Sequence, residues 1–455
     1  MLKRLATAIW GEFDSREELQ KFLILAVIFG LIIGVYWSMR PIKDSIFNAV
    51  VGGEWIWLAK IVSLLVISPL VIVYGKLIDM YPRQKVFYGL IALYALLAFF
   101  FMWQFADPVN GLYDKVAGLG DPNANPHRYM GWGWYVYVES FGSLIVALFW
   151  AITVDTTKPE SAKRGFPLVV LVGQIGNIIG PRYLQANVLG FGTSAPILGI
   201  LGALMLVTGI MFWVFMAVTP ENQLVGYETK DHAEKHSEPG FLEGLKLLFS
   251  QAYLLGMFFI IFFYELIITV IDYHFKQTVF ETYPVAQFGE AVSAGYLSGY
   301  AEWVGWVATA CVLFGVNNIQ RRLGITVSLV LLPILVTIAV CTLYFYPTSL
   351  NIIMWIMVFS KAINYALNGP TMKQLYIPTT QDTKYKAQAW IEMFGSRGSK
   401  ATSSSFNSFR SAWGVPSFML VTLLGSCGII AAWLFIAVYV SKKYNTAIAQ
   451  DKVVC

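Results

Sequence analysis

Phe22-Leu-Ile-Leu-Ala-Val-Ile-Phe-Gly-Leu-Ile-Ile-Gly-Val-Tyr-Trp-Ser-Met39, followed by Arg40-Pro41-Ile42-Lys43, decides the fold. No charge interrupts Phe22 to Met39, and an apolar run of about 18 residues or more is long enough, as a helix, to cross the hydrocarbon of a bilayer. Working outward from it, comparable runs recur near 55–75, 86–106, 131–154, 164–190 and 195–218. A polar stretch from Thr219 to Lys246 intervenes, and six more runs follow near 250–274, 290–316, 324–346, 350–372, 386–410 and 416–441. The reading is an all-α membrane protein of twelve transmembrane helices in two six-helix halves. Residues 1–218 form the first half and 219–249 a cytoplasmic linker; 250–441 form the second half and 442–455 a cytoplasmic tail.

Composition agrees with this. Of the 455 residues 57% are apolar and only 13% charged, against roughly a quarter charged in soluble domains. The 15 Trp, 24 Tyr and 32 Phe suit a bilayer, where aromatic rings settle at the headgroup interfaces as well as in the core. The N-terminus mixes Lys3, Arg4 and Arg16 with Glu12, Asp14, Glu17 and Glu18, and is not read as a signal or transit peptide. Cys311, Cys341, Cys427 and Cys455 are scattered, so neither a disulfide framework nor a metal site is expected. The Pro-, Gly- and Asp-rich stretch Asp107 to Tyr129 reads as a spacer loop.

Lys and Arg collect on the cytoplasmic side of spans. Here most of the 32 lie at the N-terminus, in the loops after the even-numbered spans and at the C-terminus. Only Arg40, Lys43, Lys115, Arg128, Lys276 and Arg410 fall on the other side. Both termini are therefore placed in the cytoplasm.

Lys60, Arg182, Lys361, Arg397 and Lys400 lie within predicted spans, as do Glu139, Glu265, Asp272, Glu302 and Glu392. A charge at bilayer depth costs several kcal/mol unless it faces protein or a watery cavity, and a cavity lined with charge is the economical explanation. Span eleven is extreme. Gly395-Ser-Arg397-Gly-Ser-Lys400-Ala-Thr-Ser-Ser-Ser405 has almost no apolar content, so other helices must surround it, its small residues permitting close approach. Two sixes with charges at depth fit the plan of secondary transporters, in which substrate binds near the midplane and two halves rock around it. After span two, Gly75-Lys-Leu-Ile-Asp79-Met-Tyr-Pro-Arg83-Gln-Lys85 looks like the major-facilitator signature. Asp79 and Arg83 are its gating candidates, able to latch the halves by an ion pair. The second-half copy, Gly315 to Gly324, keeps Arg321-Arg322 but has Ile319 in place of the Asp.

Several stretches resemble the nucleotide transporter family, the ATP:ADP antiporters of intracellular bacteria and plastids. They are Arg40-Pro-Ile-Lys43-Asp44-Ser45 with Gly52-Gly53-Glu54 and Leu58-Ala-Lys60; Arg83 to Tyr88; Tyr137-Val-Glu139-Ser-Phe-Gly142 with Phe149-Trp150; Ser161 to Phe166; Asn368-Gly-Pro370 to Pro378; Asp382 to Lys386; and Gly398-Ser-Lys400. Their order and spacing are kept through both halves. The resemblance implies a major-facilitator-like exchanger whose transport depends on two intramembrane lysines and two acids, placed at Lys43, Glu139, Asp272 and Lys400. Asp272 departs from the family's usual Glu, and Val154-Asp155 from its Asn-Gln pair.

A nucleoside triphosphate carries roughly four negative charges, which at low effective dielectric only matching cations make tolerable. Lys43 and Lys400 are expected to hold phosphate, with Lys60, Lys361 and Arg397 as secondary ligands; Lys60 equally suits snorkelling to the interface. Glu139 and Asp272 are expected to balance the lysines when the site is empty, so that an empty carrier is held from turning over. Tyr36, Trp150, Tyr264, Tyr273 and Tyr365 are candidates to stack on a base. No phosphate-gripping Gly-rich loop, zinc-protease motif or Ser-His-Asp order occurs. His232 and His236, four apart in the linker, suit a solvated segment better than a metal. No catalytic residue, cofactor, metal or nucleic acid is called for. The expectation is a monomeric carrier of ATP and ADP in the lipid bilayer of a bacterial inner membrane. Two alternatives stay open: transport of another nucleotide or NAD, by exchange or with protons, and a receptor or enzyme built on the same scaffold.

Overall fold

A computed structural model describes residue 13 and residues 15–224, 241–313, 317–379, 388–450 and 452–454. The linker histidines, the 382–386 motif and the start of the second signature copy lie outside them. The long helices are α1 (Arg16–Val50), α2 (Ile56–Met80), α3 (Arg83–Phe105), α4 (Tyr129–Asp155), α5 (Pro159–Tyr183) and α6 (Ala195–Val218). They continue with α7 (Ala252–Thr282), α8 (Glu290–Leu313), α9 (Asn317–Phe345), α10 (Leu350–Gln374), α11 (Gln388–Asn407) and α12 (Phe409–Gln450). Among the described residues nine are long and apolar enough to cross a membrane. The more polar α5, α8 and α11 occupy the places read as spans five, eight and eleven.

Some boundaries differ from the sequence reading. Ser15 caps α1, its hydroxyl accepting from the Glu18 N–H at 3.0 Å, with Glu17 and Glu18 in the first turn, both favourable at a helix N-terminus. The helix then runs through Pro41 to Val50, where the sequence placed a loop after Arg40. Pro41 removes one ladder hydrogen bond, but Ile42, Ile46 and Phe47 beyond it are fully buried, and that packing carries the helix on. Lys43 thereby lies inside a helix. In α10 the turn Asn364–Asn368 is a π-helix. Pro370 follows, and its ring would clash with the carbonyl four residues back, which is Ala366 within that wide turn. The α9 and α12 segments kink at Gly324 and Gly414, whose φ values of 82° and 73° favour glycine.

The chain divides into two compact units, Met1–His232 with Val279–Glu302, and Ala233–Thr278 with Trp303–Cys455. In the first, α1 packs most extensively against α5, and also against α4 and α6, while α3 packs against α6. The α1–α5 contact is made backbone to backbone: a β-carbon at Gly176 would collide with the Gly30 carbonyl, and one at Gly180 with that of Gly34. Small residues allow such approach, and dispersion then holds helices that lipid alone would not drive together. Phe29, Phe149 and Trp150 form an aromatic cluster beside it. The segment Val279–Glu302 comes from the second half of the sequence yet is compact with the first unit. There Glu290 accepts hydrogen bonds from the Ser194 N–H and hydroxyl at 3.1 and 2.9 Å, and Asn187 donates to the Ala291 carbonyl at 3.0 Å. Arg182 and Glu302, both predicted at bilayer depth, pair with each other at 2.5 Å.

The stretch between α3 and α4 is a built loop rather than a plain spacer. The carboxylates of Asp107, Asp114 and Asp121 each accept from backbone N–H groups two or three residues on, and isolated bridges tie Leu112 to Asp121 and Asp114 to Leu119. Hydrogen bonds from the N–H groups of Asn110 and Val109 favour the charged form of Asp107 and lower its pKa.

In the second unit α9 packs against α12 and α10. Past the kink at Gly414, α12 runs on to Gln450, further than the roughly 20 residues a crossing needs, and Lys442 and Lys443 near its end are exposed.

Candidate functional site

A deeply buried ion cluster in the first unit centres on Lys43. Lys43 on α1 is 3% exposed and donates from Nζ to Glu139 Oε1 on α4. Its ammonium also lies 3.6 Å from Asp44 Oδ1 and 4.1 Å from the centre of the Tyr135 ring, a cation–π distance. One turn earlier, the Arg40 guanidinium sits 4.7 Å over Trp37 and 5.7 Å over Tyr36. The Tyr36 ring packs where a β-carbon at Gly142 would stand, so α1 and α4 meet closely just beyond the cluster. The motif Glu139-Ser-Phe-Gly142 thus supplies both a counterion and the space for a neighbouring ring. A buried ammonium must keep a counterion, which ties Lys43 to the carboxylates beside it. Lys60, on α2, is half-buried.

Two ion pairs among the described residues of the second unit join partners that the sequence did not name together. Lys400 on α11 lies 3.5 Å from Glu265 Oε2 of α7, while Asp272 accepts from Lys276, one turn on, at 2.8 Å. Helix register explains this. On α11, Gly395, Ser399, Ser403 and Asn407 are buried and form one stripe at four-residue spacing. A β-carbon at Gly395 would stand 3.3 Å from Ile261, and Asn407 Nδ2 lies 3.5 Å from the Thr269 carbonyl. Between those fixed points Lys400 falls beside Glu265; Asp272, seven residues further, is about 10 Å along the helix. Glu265 was visible in the sequence as an intramembrane acid, but the register that selects it was not. Lys361, just before the π-turn, and Arg397, one turn before Lys400, are both half-buried.

Of the aromatic candidates, Tyr264 and Tyr273 are 2% and 3% exposed; Tyr264 donates to the Ser360 carbonyl at 3.2 Å. Trp150 belongs to the packing cluster of α1 and α4. Tyr365, on the π-turn, is 44% exposed, and Tyr36 is half-buried; these two keep accessible ring surface.

Residues 2–444 match the profile of the TLC ATP/ADP transporter family. The chain belongs to that family. The ADP,ATP carrier protein 1 of Rickettsia prowazekii (strain Madrid E) is 24% identical, the match covering 99% of this chain and 98% of the relative. The ADP,ATP carrier protein 3 of Rickettsia felis is 24% identical over 85% of this chain and 86% of its own. Among solved structures, the nucleoside transporter NupG superposes with a TM-score of 0.61 at 13% identity, covering 91% of this chain and 98% of that one. A POT family transporter in complex with 5-aminolevulinic acid gives 0.63 at 10% identity, covering 92% and 96%. The fold is therefore of the major-facilitator type, and this TLC family member is a multi-pass membrane transporter rather than an enzyme. In its first signature loop Arg83 donates to Asp155 at the end of α4, and lies 3.5 Å from the Ala151 carbonyl. Asp155 is thus the ion partner of Arg83. The Asp79 side chain lies outside the described atoms.

Proposed function

We propose that this TLC family member exchanges ATP for ADP across a bacterial inner membrane by alternating access, nucleotide phosphate replacing Glu139 as the partner of Lys43 and Glu265 as the partner of Lys400. The observation that carries the reading is the buried Lys43 ammonium paired with the partly exposed Glu139. A charge at that depth must keep a counterion, so the lysine is satisfied either by its own carboxylate or by an anion that takes the carboxylate's place. The names of the Rickettsia relatives, ADP,ATP carrier proteins, support nucleotide as that anion. Each unit brings a lysine paired with an acid on a neighbouring helix, Lys43 buried and Lys400 exposed, so exchanging the partner alters what ties two helices together. Coupling of binding to conformational change, and the exchange stoichiometry of an antiporter, follow from that swap. Lys60, Lys361 and Arg397 are secondary phosphate contacts in this scheme, Arg83 and Asp79 gating residues, and both termini cytoplasmic.

The deciding experiment is uptake of labelled ATP by proteoliposomes of the purified protein, preloaded with ADP or left empty. Uptake confined to ADP-loaded vesicles is expected. Equal uptake into empty vesicles, raised by an inward proton gradient, would replace exchange with proton symport, and no uptake in either case would redirect the reading to another substrate.

A further inference from the structure

The Lys43 ammonium has two carboxylates near it, and they differ in kind. Asp44 follows Lys43 on the same helix, with a side chain only 7% exposed. Glu139 reaches across from α4, and its side chain is 35% exposed. Tyr135 covers the ammonium from a third direction. Of these groups Glu139 is the one with open access and the one that a relative shift of α1 and α4 can withdraw; Asp44 travels with Lys43 on α1.

We propose that Asp44 is the permanent counterion of Lys43 and a specificity-determining residue, limiting how strongly the site favours the more highly charged nucleotide. The inference rests on the reading that phosphate takes the place of Glu139. Around this point α1 and α4 carry two cations, Arg40 and Lys43, and two anions, Asp44 and Glu139, so the resting cluster is neutral. With Glu139 displaced, Arg40, Lys43 and Asp44 together present a single net positive charge to the incoming phosphate. Without Asp44 they would present two. A phosphate oxygen bonded to Nζ would stand about 6 Å from the Asp44 carboxylate, the 3.6 Å ion-pair distance plus a charge-assisted hydrogen bond, and at that range two like charges in a partly buried site still repel strongly. The repulsion grows with phosphate charge, and so weighs more on ATP than on ADP. A site that grips its cargo too firmly cannot release it on the other side; entering and leaving both require moderate binding.

The test compares wild type, Lys43→Met, Asp44→Asn and Asp44→Glu in ADP-loaded and ATP-loaded proteoliposomes, measuring KM and kcat for each nucleotide with membrane insertion checked alongside. Asp44→Asn is expected to lower the KM for ATP at least fivefold, to lower that for ADP less, and to reduce kcat for both, while Asp44→Glu stays within twofold of wild type. Unchanged or raised KM values in Asp44→Asn, with Lys43→Met inactive, would overturn the role of Asp44 and leave the phosphate reading standing. Wild-type transport by inserted Lys43→Met would instead overturn the phosphate reading and this inference with it. If Asp44→Asn is missing from the membrane, the double variant Lys43→Met/Asp44→Asn decides the matter, because it restores the neutral balance. Its normal insertion supports Asp44 as the partner of Lys43, and its continued absence assigns Asp44 a different role.

Discussion

The charges at bilayer depth were legible one by one, because each costs several kcal/mol to keep there without a reason. Their partners were not. Lys43 read as lying just past the first apolar run and, by resemblance, as an intramembrane lysine; the structure continues the helix through Pro41 and buries it. Asp272 and Glu139 were expected to balance the lysines; in the structure Lys400 lies beside Glu265, and Asp272 accepts from Lys276. From this, Glu265→Gln is expected to lower exchange at least tenfold and Asp272→Asn to have the smaller effect, measured as initial ATP uptake by ADP-loaded proteoliposomes at equal protein density. The reverse order would return the role to Asp272. Glu139→Gln removes the resident counterion of Lys43, so uptake into empty vesicles, near zero for the wild type, is expected to rise or insertion to fail. Strict exchange retained in an inserted Glu139→Gln carrier would count against counterion swapping.

Helices announce themselves by apolar length, and α11 by its lack of it; what a sequence does not carry is which turn of one helix meets which turn of another. The contact of α11 with α7 depends on a stripe of Gly and Ser residues, and that of α1 with α5 on Gly30, Gly34, Gly176 and Gly180. Overpacking a tight interface costs about 1–3 kcal/mol. Gly176→Leu would drive a side chain into the Gly30 carbonyl, so it is expected to lower the thermal unfolding midpoint in detergent by several degrees or prevent recovery of monodisperse protein. Gly75→Leu, where a β-carbon would meet nothing within 4 Å, serves as the control and is expected to leave the midpoint unchanged.

Two sets of six runs around a polar linker were readable over the whole chain because bilayer thickness imposes one length on every crossing. The grouping of Val279–Glu302 with the first unit was not, since it arises from hydrogen bonds such as that of Glu290 with Ser194, which leave no periodic trace. Sidedness is open to direct measurement. A C-terminal green fluorescent protein fusion is expected to fluoresce in a bacterial host, and a cysteine-specific impermeant label should modify Val116→Cys from outside intact cells or spheroplasts; labelling only after permeabilisation would invert the topology. Val116 is 94% exposed and sits on the loop whose three aspartates bind their own backbone. Because that loop takes its shape from local hydrogen bonds, it should present a conformational epitope, and an antibody fragment raised against it would give imaging of this small membrane protein a rigid fiducial.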